Sequence, residues 1–469
     1  MKIRMPLYTV LVSALIPLLP AFPGPLFAGG PGAMQQSMNG PYNALSGLSS
    51  ISAAAAVIPE IPALAAAEPL SAPVTDPSPE AAAWEGYFLH LGAAVKKGGL
   101  TDAGLNMVEL LVDGREVMNA AAPDIENARS FIHIKIFQWQ ADEIGESLRD
   151  LLAEKAKAGV RVRVILDSLG SSLVRPESPA HKFVKSMTAA GIEVKVRRFQ
   201  LLHLDHRKVV VMDDGNNGLV GYTGGMNIGV DYQRLWHDQQ TRVLGPAAAL
   251  LHRAFLDGWG KIAGEELSGF RAAQPLEAGA RTYVITHTGG DADRNIKKAY
   301  LLAIDTARHL IRIENPYFTD KDVIAALIKA ATDPRRPGLK VQLLVPATND
   351  MPVTLRAFRS HYPDMLKAGI EVYEYLPRME HLKVAVMDHL WSTVGSSNLD
   401  PQSLKYNDEL NLLVLDRDFA ADIDRRIFDN DIAQSLRITA YSSNLGDAIS
   451  GQLPFLSPQF TLPADLLNQ

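Results

Sequence analysis

The chain has 469 residues, 47% of them hydrophobic and 21% charged, and a formal net charge of -6. That is enough apolar sequence for one large core or two ordinary domains, while mild acidity excludes an overall electrostatic pull on nucleic acid or anionic lipid. With no cysteine, disulfides, thiolate chemistry, cysteine zinc sites and a lipidated N-terminal cysteine are excluded as well.

Taken in chain order, Lys2 and Arg4 precede an apolar run from Met5 to Phe22 that Pro17 and Pro20 interrupt. The run is short for a bilayer span of about 20 residues. Its order, basic then apolar then small, fits export, so residues 1–28 are read as a signal peptide or an uncleaved signal anchor. Residues 29–80 are rich in Gly, Ala, Pro and Ser and read as a flexible linker. Folded sequence is expected to begin at residues 81–84.

From there strands and helices alternate. Residues 108–114 (VELLVDG) read as a strand and turn, 115–128 as a helix, and 131–139 (FIHIKIFQW) as a strand. An amphipathic helix at 143–158 ends at Gly159, and a strand at 161–167 (RVRVILD) is followed by a helix at 180–190 and a strand at 193–197. The order then recurs: HLIRIENPYF at 309–318, a helix at 322–331, KVQLLVP at 340–346, a helix at 356–368 and EVYEY at 371–375. Arg161 to Lys340 is 179 residues and Lys208 to Lys383 is 175, too long a period for a solenoid. The pattern predicts two similar α/β units, residues 81–268 and 281–445, with the seam near 269–279. A tail at 446–469 has three prolines between residues 453 and 467, which disfavour a long helix and favour a strap on the body.

At matching places in the two units stands His-x-Lys-x-x-x-x-Asp: His206, Lys208 and Asp213 in HRKVVVMD, and His381, Lys383 and Asp388 in HLKVAVMD. Each is followed by a glycine turn and an asparagine, Gly224–Asn227 (GGMN) and Gly395–Asn398 (GSSN). His133 and Lys135 share the spacing but lack the aspartate and asparagine, and read as ordinary strand residues. Histidine and lysine two apart on a strand share a face, whereas the aspartate, seven residues on, faces the other way. Asp213 and Asp388 are therefore expected to bond backbone or a nearby cation. Two facing sets supply two imidazoles, two ammonium groups and two amides, the donors that a phosphodiester transition state needs. Gly225 and Ser396 belong to the same expected phosphate-binding turns as Asn227 and Asn398.

Two acids stand at equivalent positions. Glu409 lies 28 residues after His381 and Asp238 lies 32 after His206. The first hairpin is longer by four, with ten residues between Asp213 and Gly224 against six between Asp388 and Gly395. Without that insertion near 215–218 the spacings agree, which makes both acids candidates for fixing the histidine tautomers. Glu314 stands at a strand end, where α/β sites gather. Trp139, Tyr317 and Phe318 are candidates for a lipid entrance or the core. His203, His237 and His361 show no metal-ligand spacing.

The repeated motif with its downstream Gly-Gly/Ser-x-Asn resembles the signature of the phospholipase D superfamily, over residues 108–416. VELLVDG, YTGGMNIG, WHDQQTRVLGPA, ENPYF and GSSNLDPQSLKYNDELN resemble bacterial cardiolipin synthases within it. The resemblance implies a pseudo-twofold α/β fold of two repeats, each a mixed sheet flanked by helices, with one site at their interface. It implies phosphodiester cleavage through a phosphohistidine, with His206 as nucleophile and His381 as general acid and base. It implies no metal and no cofactor. The expected partners are a phospholipid, a membrane surface and an alcohol acceptor or water; one chain holds both half-sites, so a monomer suffices. With the signal, this places the enzyme in the periplasm or cell envelope, where it transfers phosphatidyl groups or hydrolyses headgroups. The competing readings are a nuclease, disfavoured by the acidic charge, and an inactive binding protein on the same scaffold. The chain departs from many cardiolipin synthases in the hairpin insertion and in lacking a pair of N-terminal membrane helices.

Overall fold

In the computed structural model the described residues are 79–440, apart from 175–177, 201–202, 265–266, 268–272, 274–275 and 290–292. The expected export signal, nearly all of the linker, most of the seam and the C-terminal tail lie outside them.

The first repeat supplies β1 (Leu100–Val112), β2 (Phe131–Ile136), β3 (Arg161–Asp167), β4 (Glu193–Arg197), β5 (Val209–Asp213), β6 (Leu219–Gly224) and β7 (Gln239–Leu244). The second supplies β8 (Ala280–His287), β9 (Leu310–Glu314), β10 (Lys340–Pro346), β11 (Glu371–Tyr375), β12 (Val384–Met387), β13 (Trp391–Gly395), β14 (Glu409–Leu415) and β15 (Ser435–Ile438). They hydrogen-bond in the order β15-β11-β10-β9-β12-β13-β14-β8-β1-β7-β6-β5-β2-β3-β4. Read outward from the antiparallel β8–β1 pair, the two arms repeat each other, which is the expected pseudo-twofold. Each arm ends in a parallel group, β2-β3-β4 or β9-β10-β11, and the second adds β15.

This topology fixes where the two motifs emerge. β5 runs antiparallel to β2, with Lys135 opposite Val209, so residues 206–208 sit at the C-terminal end of β2. In the same way β12 starts opposite Glu314, and residues 381–383 sit at the C-terminal end of β9. Backbone bonds lace the two ends together. His206 N–H donates to the Asp408 carbonyl (2.9 Å) and Asp408 N–H to the Leu204 carbonyl (2.7 Å). His237 N–H donates to the Met379 carbonyl (2.8 Å) and His381 N–H to the His237 carbonyl (2.7 Å). Each motif is thus bonded to the residues that open β14 or β7 in the other repeat.

The core follows the same plan. One apolar cluster belongs to each repeat, and a third joins Val209, Val211 and Val243 to Val384, Leu410 and Leu412 across the interface. The first helix among the described residues, Pro79–Ala94, packs on the second repeat. Trp84 stacks on Trp391 (5.7 Å) and Phe88 on Tyr283 (3.8 Å). The expected boundary at residue 81 is corrected to that extent: large aromatic rings find their apolar partners in the other unit. The single helix expected at 356–368 is two, Pro352–Arg359 and Tyr362–Lys367, because Pro363 lacks an N–H and starts a new first turn.

Candidate active site

His206 and His381 meet at the interface, both buried. Each is held by the acid of the other repeat. His206 Nδ1 is 3.0 and 3.2 Å from the two Glu409 carboxylate oxygens, and His381 Nδ1 is 2.7 Å from Asp238 Oδ2. Equal spacing identified both acids, but the pairing crosses the interface, since β14 and β7 open beside the opposite motif. With Nδ1 engaged, Nε2 is the nitrogen left for chemistry.

Lys208 Nζ donates to the His206 carbonyl (2.7 Å) and Lys383 Nζ to the His381 carbonyl (2.6 Å). Two ammonium N–H groups remain on each for a ligand. Burial lowers Lys208 to about 7 and Lys383 to about 8, because no water solvates the charge.

Asp213 and Asp388 do not take part in this constellation, as alternation along the strand demands. Asp213 accepts from the N–H groups of Arg129, Ser130, Phe131 and Gly215 at 2.7 to 3.2 Å. Asp388 accepts from Arg308, His309 and Leu310 at 2.8 to 3.1 Å. They pin the starts of β2 and β9, the strands against which the motifs are registered.

The two turns differ in use. Ser396 Oγ donates to Glu409 Oε2 (2.5 Å), and Asn407 Nδ2 to Glu409 Oε1 (3.2 Å). Ser396, expected on phosphate, thus spends its hydroxyl on the acid. At the equivalent Gly225 a Cβ would come within 2.3 Å of Asp238 Oδ1, so only glycine leaves room for that carboxylate. Asn227 Oδ1 accepts from Gln138 N–H (3.1 Å). Asn398 Oδ1 is buried with no donor on it among the described residues.

These contacts separate the two acids. Burial pushes the Asp238 carboxyl up to about 7. Burial acts on Glu409 in the same direction, but His206, Lys208 and Ser396 outweigh it and hold Glu409 below the usual glutamate range. Burial lowers His206, partly offset by Glu409. His381 falls well below the ordinary histidine value, through burial and then the charges of Lys383, Lys208 and His206.

The surroundings differ as well. Phe137 meets the His206 ring edge-on at 4.9 Å, and Lys208 Nζ lies 5.4 Å from the Phe137 ring centre. Three rings surround His381: Trp236 at 5.2 Å, Tyr232 at 5.6 Å and Tyr317 at 6.2 Å. Tyr317, whose hydroxyl donates to Asp350, lines the site, whereas Trp139 and Phe318 are core residues.

Behind the histidines lie two buried clusters of charged and acidic groups, of which sequence reasoning singled out only Glu314 as a site candidate. Lys135, read as an ordinary strand residue, pairs with Asp205 (2.5 Å), which also holds Arg207 (2.8 Å). The equivalent positions in the second repeat are Glu314 and Glu380, both fully buried and both raised well above the ordinary value, first by burial. Nearby, Asp113 (2.8 Å) and Asp431 (2.9 Å) grip His237 and, against burial, push it up to about 9. The signal available for the first cluster was Asp205 and Arg207 flanking His206; nothing in the sequence paired them with Lys135. His203 bonds Asp408 (2.8 Å).

Known proteins resemble this chain along its folded length. The family model described as "Cardiolipin synthase, PLD-like domain" matches twice, at residues 122–254 and 300–432. A probable cardiolipin synthase of Bacillus subtilis is 30% identical, over 71% of this chain and 67% of that protein. A cardiolipin synthase A of Pseudomonas syringae is 31% identical, over 72% and 71%. Among solved structures, the phosphatidylserine synthase of Haemophilus influenzae superimposes with a TM-score of 0.57 at 15% identity, over 76% of this chain and 92% of its own. That last likeness concerns the fold alone.

Proposed function

The chain belongs to the phospholipase D superfamily, in the family of cardiolipin-synthase-like proteins with two PLD-like repeats, and on that premise we propose that it transfers phosphatidyl groups between alcohols at a membrane. The observation that carries this reading is the pair of imidazoles, each held at Nδ1 by a carboxylate from the opposite repeat. Such a pair can divide a displacement at phosphorus into two steps.

In the first step His206 Nε2 attacks phosphorus, the bond to the departing alcohol breaks, and a phosphohistidine forms. The ionised Glu409, supported by Ser396 and Asn407, accepts the Nδ1 proton of His206 and leaves an Nε2 lone pair for attack. His381 protonates the leaving oxygen. Asp238, which titrates near neutrality, suits that task. When protonated it donates to Nδ1, the neutral His381 carries its own proton on Nε2, and the Asp238 proton follows as Nε2 gives its proton up. In the second step His381 takes the proton of an incoming alcohol, which displaces His206. Lys208, Lys383, Asn227 and Asn398 are assigned to the phosphoryl oxygens, where charge develops. Water in place of the alcohol gives headgroup hydrolysis. The basic and apolar N-terminal sequence supports export to the cell envelope.

The test is to incubate the protein with vesicles of phosphatidylglycerol and phosphatidylethanolamine and to identify products by mass spectrometry. Cardiolipin or a phosphatidyl-alcohol, lost in both His206→Ala and His381→Ala, is expected. Phosphatidic acid alone would replace transfer with hydrolysis, and intact lipids would remove the phospholipid reading. Enzyme denatured at neutral to mildly alkaline pH, where the bond from phosphorus to nitrogen survives, should carry a phosphatidyl adduct on His206, and an adduct on His381 would reverse the two roles.

A further inference from the structure

Behind the motif histidines the two repeats invert one charge. Lys135 stands opposite Val209, the residue after Lys208, and Glu314 stands opposite Val384, the residue after Lys383. Asp205 and Glu380 each precede a motif histidine, and Arg207 and Leu382 each follow one. In the first repeat the acid is matched twice. Lys135 Nζ lies 2.5 Å from Asp205 Oδ2, and Arg207 Nε lies 2.8 Å from Asp205 Oδ1. In the second repeat a second acid, Glu314, stands where the lysine was, and a leucine stands where the arginine was.

Glu314 and Glu380 are both 0% exposed, and none of their four carboxylate oxygens has a hydrogen-bond partner among the described residues. The cations nearby are engaged elsewhere. Both ring nitrogens of His237 are taken, by Asp113 and Asp431, and Arg378 donates to Asp113 and to the Trp236 carbonyl (3.1 Å). Asp431 gives Oδ2 to His237 and accepts from Asn430 Nδ2 on Oδ1 (3.0 Å). Lys383 donates to the His381 carbonyl and feels the charge of Asp238 before that of Glu380. A carboxylate in a dry interior is ionised only beside a matching charge. Without one, burial and then Asp431 raise Glu314, and burial raises Glu380.

We propose that a hard metal cation, calcium in kind, binds between Glu314 and Glu380 and does in the second repeat what the Lys135 ammonium does in the first. It ties the C-terminal end of β9 to the residue before His381. Carboxylate oxygens are ligands for calcium and magnesium. Zinc and copper are not favoured, since the chain has no cysteine and both nitrogens of His237 are engaged. The described residues hold no three acid or histidine side chains grouped as metal ligands, so the ion takes its remaining ligands from main-chain carbonyls and water. It stands behind the histidine and takes no part in the chemistry, for which the resemblance implies no metal. The inference is independent of the phospholipid reading, because it follows from the two carboxylates and not from the substrate.

The test is thermal unfolding of the full chain, stripped of metal by a chelator, as salts are added at constant ionic strength. About 1 mM calcium should raise Tm by about 3 °C or more, and calorimetry should count one ion per chain. Magnesium should do less, and sodium and potassium little. Glu314→Lys sets a lysine opposite Glu380, as Lys135 is set opposite Asp205. That variant should unfold at or above the Tm of the calcium-loaded parent and should not respond to calcium. Glu314→Gln and Glu380→Gln should also lose the response, and they decide the matter if the lysine variant does not fold. A parent that calcium does not move, because both carboxyls keep their protons, would overturn the proposal. Equal stabilisation by sodium chloride would overturn it as an effect of salt alone. A calcium response that survives in both glutamine variants would place the ion elsewhere and overturn it too.

Discussion

Replacing Lys208 by methionine should make the protein more stable near pH 7 and less active. The lysine is fully buried and its ammonium group titrates at about 7, lowered from 10.5 by burial. In the unfolded chain it keeps its proton up to about 10.4. As pH falls from there to 7, the unfolded state gains a proton that the folded state does not, so folding stability declines across that interval and is level below it. At about 1.4 kcal/mol per unit, the shift of roughly 3.5 units corresponds to a ceiling of about 5 kcal/mol. Methionine removes this cost but also the bond from Nζ to the His206 carbonyl, a loss of about 1 to 3 kcal/mol. The variant should gain about 2 to 4 kcal/mol at pH 7 and lose about 1 to 3 kcal/mol at pH 10.

The assay is urea unfolding of parent and variant between pH 6 and 10. Asp238 titrates near 7 and Lys383 near 8 in both proteins, so the slope is read as the difference between parent and variant from pH 8 upward. Orthophosphate or vanadate should stabilise the parent more than the variant, because an anion restores the lysine charge. Turnover should fall about 100-fold or more, the usual cost of losing a transition-state donor. A variant less stable than the parent at pH 7, or a stability difference flat from pH 8 to 10, would refute the electrostatics assigned to this lysine.

Asp238→Asn should lower kcat by about 1,000-fold or more at pH 7 with little change in KM, because an amide cannot pass a proton to His381. The limb of the pH profile near 7 should vanish with it, and its survival would remove Asp238 from the proton path. Gly225→Ser places a Cβ 2.3 Å from Asp238 Oδ1 and should cost about 100-fold in kcat, although serine is the residue at the matching Ser396; wild-type kcat would show that the carboxylate has room to move. Asp213→Ala strips the amides of Arg129, Ser130 and Phe131 of their acceptor and should destabilise the fold by about 2 to 4 kcal/mol. A loss of kcat with unchanged unfolding would return Asp213 to the chemistry.

Much of this was legible in the sequence because it is local. β3, β4, β10 and β11 lie where alternation and flanking glycines put them. The structural task of Asp213 and Asp388 followed from strand parity alone. The crossed pairing did not, since spacing shows that Asp238 and Glu409 are equivalent but not which histidine each faces. Nor did the docking of helix Pro79–Ala94 on the second repeat, because an aromatic helix carries no mark of its partner. Lys135 was hidden for a related reason. A lysine on an alternating strand reads as solvent-facing until the fold sets Asp205 against it.

The two half-sites share a motif but not an environment, and the differences all act in one direction. Where the first turn has Gly225 the second has Ser396, and where Trp236 stands two residues before Asp238, Asn407 stands two before Glu409. His206, Lys208 and the Ser396 hydroxyl keep Glu409 ionised, while burial, against Lys383 and the Gln239 N–H, lets Asp238 hold its proton to about 7. An ionised partner strengthens Nε2 of His206 as a base and nucleophile. A partner that protonates near neutrality lets His381 deliver a proton without first becoming a buried imidazolium, a charge that Lys208 and Lys383 oppose. Were the roles reversed, the nucleophile would have the weaker acceptor and the acid the emptier proton store. On the proposed roles, two motifs that share histidine, lysine and aspartate take different parts because the surrounding side chains, rather than the histidines, set where the proton rests.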